Sequence, residues 1–249
     1  MITDSFDNKS KAIISPASFL GEKKHLCDVA VPTFSFEIYE MALKLYPNEQ
    51  VASLDSANGA RPIHLLNVNG KRIVFYLTPI GSSLAGNSII EVNWMTGAEK
   101  FVFFGSAGSL DKEATQGKYI VPTAAYRDEG LSYHYAPAAD YIALKNADKV
   151  AEEFGRLKLP YVKGKIWTTD GFYRETRKHF AQRKAEGCVA VEMELAGVQA
   201  VCDFYDWQLY AFLVSGDILD QPQYIPDDLH GANHTTDKFF TALEIAKVI

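Results

Sequence analysis

The chain has 249 residues, 47% hydrophobic and 22% charged, with a formal net charge of -6 and a pI near 5.5. That length suffices to bury one sizeable core, so a single domain spanning 1–249 is expected. The acidic balance excludes the basic footprint that nucleic acid or an anionic membrane surface requires.

Three widely spaced cysteines, Cys27, Cys188 and Cys202, form no CxxC pair and no thiolate metal motif, which fits a reducing cytoplasm. No window approaches the roughly 18 apolar residues of a membrane helix. The N-terminal MITDSFDNKSKAIISPASF has no apolar core behind a basic start. A soluble, cytoplasmic protein is expected.

In chain order, short runs rich in β-branched and aromatic residues alternate with helical patterns. Strands are expected at CDVAVP (27–32), RIVFYLT (72–78), KFVFFG (100–105), KYIVPT (118–123), VKGKIWT (162–168) and QLYAFLVS (208–215). Helices are expected at 36–46, 82–97, 148–157, 174–187 and 194–206. This alternation is the mark of an α/β protein built on a central sheet flanked by helices.

Three segments carry chemistry. In VAVEMELAGVQAVC (189–202), two acids lie two residues apart in a stretch that otherwise reads as core. In a helix Glu192 and Glu194 would point in different directions and one would enter the core; in an extended segment both share one face, with Met193 on the other. Two readings stand: an exposed acidic helix start favoured by the dipole, or a polar pocket at a strand-to-helix junction. In the second, carboxylates would accept from vicinal hydroxyls and a thioether would pack on a sugar. FVFFGSAGSL (101–110) runs a strand into a small-residue turn, where Gly105 and Gly108 allow close backbone approach and Ser106 offers a hydroxyl. LVSGDILD (213–220) puts Asp217 just past a buried strand, where α/β sheets bind ligands but where an aspartate can equally cap a turn.

In the order GSAG, TTDGFY (168–173), VEMELAG (191–197) and VSGD (214–217), the chain resembles the nucleoside phosphorylase family. That family holds purine nucleoside phosphorylases, uridine phosphorylases and methylthioadenosine/S-adenosylhomocysteine nucleosidases. The resemblance covers roughly residues 27–220, and PTAAYRDEGLSYHY (122–135) is similar to the uridine phosphorylase branch. It implies a phosphorylase/hydrolase-like fold: one α/β domain with a central mixed sheet, partly barrel-like, flanked by helices.

It also implies roles. Glu194 would bind the ribose hydroxyls, Met193 would lie on the sugar, and Glu192 would shape the pocket. Phe172 and Tyr173 would contact the base, Arg174 could serve a pyrimidine carbonyl, and Asp217 would act on the base as an acid. Phosphorolytic members carry a GDPxR-like loop after the first strand, whereas VPTFSFE (31–37) has Thr33 for the glycine and Glu37 for the arginine. A further family arginine corresponds to Phe103. Ser106, Gly105, Arg61 and Arg127 remain to hold phosphate, and Glu37 matches the water-activating glutamate of the nucleosidases.

The expected activity is therefore phosphorolysis of a nucleoside, purine by preference, giving free base and ribose 1-phosphate. Phosphate would be a co-substrate, with no metal and no other cofactor. Hydrolysis with Glu37 as base, uridine phosphorylase specificity and a non-catalytic nucleoside-binding protein are the alternatives. A homo-oligomer, a dimer or a trimer of dimers, is implied by the same resemblance.

Overall fold

Residues 100–105 send Phe101 and Phe103 into one hydrophobic core and Val102 and Phe104 into another. That alternation belongs to a strand covered on both faces. The computed structural model describes residues 1–224 and 226–249.

In chain order it forms α1 (Ala17–Leu20), β1 (Val29–Thr33), α2 (Phe36–Leu45), β2 (Asn48–Ser56), β3 (Gly59–Val68), β4 (Lys71–Leu77), α3 (Ser82–Thr96), β5 (Lys100–Ser109), α4 (Lys112–Thr115) and β6 (Tyr119–Asp128). There follow α5 (Ser132–Tyr135), β7 (Tyr141–Ala143), α6 (Ala147–Leu157), β8 (Tyr161–Thr169), α7 (Arg177–Ala185), β9 (Cys188–Glu192), α8 (Leu195–Phe204), β10 (Gln208–Ile218), α9 (Asp227–His234) and α10 (Asp237–Val248).

The strands make one mixed sheet within a single α/β domain. Strands β5, β10, β6, β8 and β9 close on one another as a five-stranded barrel, and β1, β4, β3 and β2 extend from β5 as an open arm. One core gathers α3 and α8 on the sheet; the other gathers α2, α6 and α10. Among the described residues, no helix is long and apolar enough to cross a membrane. All three cysteines are free.

The feature that positions the site is a fork in β5. Its first residues pair with β1, Val29 with Lys100 and Ala30 with Phe101. Its last residues pair with β9, Gly108 with Val191 and Ser109 with Ala190, while β10 follows the other edge from Lys100 to Ser109. Between the two partners the strand edge opens into a cleft, at a point where the sheet changes neighbours. Gly108 is required there: a Cβ would stand 2.6 Å from Leu219 Cδ1 and 2.9 Å from Val191 Cγ1. Gly105 is less confined, since a Cβ would meet the Phe34 ring at 3.6 Å.

The expected strands and helices all occur, with one internal change. Residues 172–174 form a separate 3-10 turn and α7 starts only at Arg177, because the Thr176 hydroxyl accepts from the His179 N–H and caps the helix there. The β2–β3 hairpin and the two last helices were not expected, and β9 (Cys188–Glu192) is the strand of the strand-to-helix reading of 189–202. In β2 most side chains are exposed and polar, so the apolar signal of a strand is missing.

Candidate active site

The cleft at the β5 fork encloses about 270 Å³. Its floor is residues 103–108 of β5; its walls come from the ends of β1, β9 and β10, the 172–175 turn, α9 and the start of α10.

The junction between β9 and α8 forms one wall. The strand ends at Glu192, Met193 and Glu194 form a bend, and the helix begins at Leu195. Glu192 and Glu194 are both buried and, with Met193, line the cleft. The Glu192 carboxylate accepts from the Glu194 N–H at 2.7 Å, from the Leu195 N–H at 2.8 Å and from the Thr168 hydroxyl. It therefore caps α8 in the manner of an N-terminal acid. Glu194 accepts from the Gly81 N–H at 2.6 Å, and the Ser82 hydroxyl donates to the carbonyls of Met193 and Glu194, which pins the bend to α3. Burial pushes both carboxyls above their usual range, and the neighbouring Glu192 charge adds to the rise at Glu194. With three donors on Glu192, the negative charge is better tolerated there.

The base of β10 forms the second wall. The register of β10 on β5 slips between Ser215 and Ile218, and this bulge turns Asp217, only 4% exposed, into the cleft. Burial raises its pKa, while a hydrogen bond with Tyr224 opposes the rise. Glu175, not singled out by the sequence, also lines the cleft. Burial first and the Asp217 charge second push its pKa up to about 7. Phe172 completes this end of the cleft, whereas Tyr173 is 93% exposed and Arg174 is exposed; neither lines it.

The mouth is closed by α9. The Ser35 hydroxyl, which caps α2 by accepting from the Ile38 N–H, hydrogen-bonds His234 Nδ1 at 2.7 Å. The Ser106 hydroxyl donates to Asn233 Oδ1. Lys238, 2% exposed, donates to the carbonyls of Ala232 and Asn233 at the end of α9. Burial lowers the pKa of Lys238 to about 8. None of His234, Asn233 or Lys238 carried a sequence signal, because none stands in a motif: His234 meets Ser35, Asn233 meets Ser106 and Lys238 meets the end of α9 only once the chain is folded.

Of the residues expected to meet phosphate, Gly105 and Ser106 line the cleft. Arg127 is elsewhere. It is buried, its Nε donates to Ser132 Oγ at 2.7 Å, and its Nη atoms donate to the carbonyls of Pro137 and Ala136. Arg61 sits on β3 opposite Leu54. Among the described residues no arginine lines the cleft. Glu37, in the first turn of α2 with its side chain 66% exposed, lies outside the lining, with Oε2 3.8 Å from His234 Nδ1.

The arrangement can therefore accept hydrogen bonds from hydroxyls at one wall, give or take a proton at a second, and donate to an anion at the mouth. The family model described as the phosphorylase superfamily matches residues 30–247. A DeoD-type purine nucleoside phosphorylase of an Exiguobacterium species is 30% identical over 135 residues, 52% of this chain and 56% of that protein. A guanosine phosphorylase of Halorubrum lacusprofundi is 28% identical over 136 residues, 53% of this chain and 56% of that protein. The matched stretch thus spans only about half the length of these curated relatives. Among solved structures, futalosine hydrolase of Helicobacter pylori strain 26695 superposes with a TM-score of 0.70 at 17% identity, covering 90% of this chain and 99% of that one. At that identity the likeness speaks for the fold alone.

Proposed function

Because the chain belongs to the phosphorylase superfamily, we propose that it cleaves the N-glycosidic bond of a purine nucleoside with phosphate, releasing the base and ribose 1-phosphate. The observation that carries this reading is the placing of Glu194 and Met193 on one wall of the cleft and Asp217 on another. A pentose set against Glu194 and Met193 then has its base near Phe172, Asp217 and Glu175.

Breaking that bond passes through a cationic, oxocarbenium-like sugar and an anionic leaving base. The Glu192 carboxylate stabilises the first, and Glu194 holds the ribose hydroxyls. An Asp217 carboxyl with a raised pKa protonates the second, a step suited to a purine nitrogen. Glu175, titrating near neutrality, shares the proton and the base contact with Asp217. In this reading phosphate sits at the mouth, which Ser35, Ser106 and Lys238 line.

Hydrolysis is the second reading, and one observation favours it: no guanidinium among the described residues reaches the cleft. Water would then be activated by His234, which Glu37 approaches at 3.8 Å. Incubation with inosine, guanosine, adenosine and uridine, with and without phosphate, separates the two. Base release that needs phosphate supports phosphorolysis, and equal release without phosphate sinks it. Binding without release would make the protein a nucleoside sensor.

A homo-oligomer is part of the proposal, with Arg61 offered to a neighbour's cleft. Tyr173, Ile80 and Leu84 expose apolar surface near the 172–175 turn and the start of α3, and sedimentation velocity measures the assembly. A cytoplasmic location is proposed from the three free thiols.

A further inference from the structure

The mouth of the cleft presents a problem of charge. A phosphate dianion placed beside Ser35 and Ser106 would meet the Glu37 carboxylate nearby, and the buried ammonium of Lys238 is already engaged by two carbonyls. The same corner holds two histidines one helical turn apart. His230 and His234 share a face of α9, with ring centroids 4.8 Å apart. Ligand atoms of Glu37, His230 and His234 all lie within 4.8 Å of one another.

From this geometry we infer that Glu37, His230 and His234 form a zinc site that joins α2 to α9 at the mouth of the cleft. Two imidazoles and one carboxylate are a donor set suited to zinc, with a fourth position left for a water or substrate oxygen. Tetrahedral bonds of about 2.0–2.1 Å place ligand atoms roughly 3.3 Å apart. The three groups need to close by only an ångström or so, and Glu37 and His230 are exposed side chains able to do it. Ser35 hydrogen-bonds Nδ1 of His234 at 2.7 Å, which holds the ring at the corner that Glu37 approaches at 3.8 Å. His230 makes no hydrogen bond to the described residues, and its ring packs edge-on against that of His234. His230 and His234 stand at the i, i+4 spacing of paired zinc ligands, and Glu37, far away in sequence, is brought to them by the fold.

Because His234 also lines the cleft, the ion would stand beside Ser106 and Asn233 and supply the positive charge that the missing arginines do not. That role toward phosphate rests on the phosphorolytic reading; the metal site itself does not. Tag-free, chelator-stripped full-length protein should bind one zinc per chain in equilibrium dialysis with elemental analysis, with no binding of magnesium under the same conditions. His230→Ala and Glu37→Gln should each weaken zinc binding by at least roughly tenfold. Zinc should raise the melting temperature of the parent protein and not that of His230→Ala. Zinc affinity unchanged in both variants, or failure of the parent protein to take up zinc, overturns the site. Phosphate dependence is measured separately on the stripped protein, so loss of phosphorolysis leaves the zinc result standing.

Discussion

The cleft has two kinds of wall, and they are built differently. On the barrel side, at the β9–α8 bend and the β10 bulge, main-chain groups and register hold the acids: two amides on Glu192, one on Glu194, and a slipped strand beneath Asp217. At the mouth, α9 is held by side chains, through Ser35, Ser106 and Lys238. A wall fixed by backbone keeps its geometry whatever sits in the cleft, whereas one fixed by a few side-chain contacts can be moved by changing any of them.

Substitutions on the barrel side should therefore act on the chemistry. The largest effect is expected from Asp217→Asn, which keeps the shape and removes the acid. Purine turnover should fall by roughly 10²–10⁴-fold with nucleoside binding retained, as read by kcat against KM; unchanged kcat would take Asp217 out of catalysis. Glu194→Ala should cost on the order of 10²-fold in kcat/KM through lost placement of the sugar. Near-normal kinetics would contradict the ribose assignment.

A pair of glycine substitutions tests the contrast itself. At Gly108 the added methyl would meet Leu219 at 2.6 Å and Val191 at 2.9 Å inside the barrel, whereas at Gly216 it would meet Leu229 of α9 at 3.2 Å. Gly108→Ala should destabilise by about 1–3 kcal/mol in denaturant unfolding. Gly216→Ala should cost less because α9 can shift. Equal costs would mean that the mouth is as rigid as the barrel.

The smallest effect expected is a pH dependence. A carboxyl whose folded pKa is raised binds its proton more tightly folded than unfolded, so stability falls as pH rises from the ordinary carboxyl range through the folded value. Burial and the Glu192 charge raise Glu194 in this way. Glu194→Gln removes the ionisation and should raise the melting temperature more at pH 8 than at pH 5. A gain that is the same at both pH values would show that Glu194 is not held with a raised pKa.

The same contrast governs what could be read from sequence. Glu192, Met193 and Glu194 are contiguous, and their spacing allowed either an acidic helix start or a pocket at a strand-to-helix junction; the fold places all three in the cleft. The alternating β5 and the α/β order of elements were legible for the same reason, since periodicity is local. Most of the mouth was not: Ser106 stood in the GSAG turn, but Ser35, His234 and Lys238 come from three other parts of the chain and none stands in a motif. Glu192 shows a subtler limit: its type and place were visible, but not that two helix N–H groups would occupy one of its oxygens. Arg127, which a search for guanidinium donors would pick, is consumed by Ser132 and two carbonyls.

The fork in β5 gives the cleft a floor of residues 103–108, from a strand whose large side chains are shared out between two cores. Residue replacements around the rim can then change what the cleft admits without disturbing the strand beneath it. Divergence among such proteins becomes a matter of exchanging fittings on a common bench.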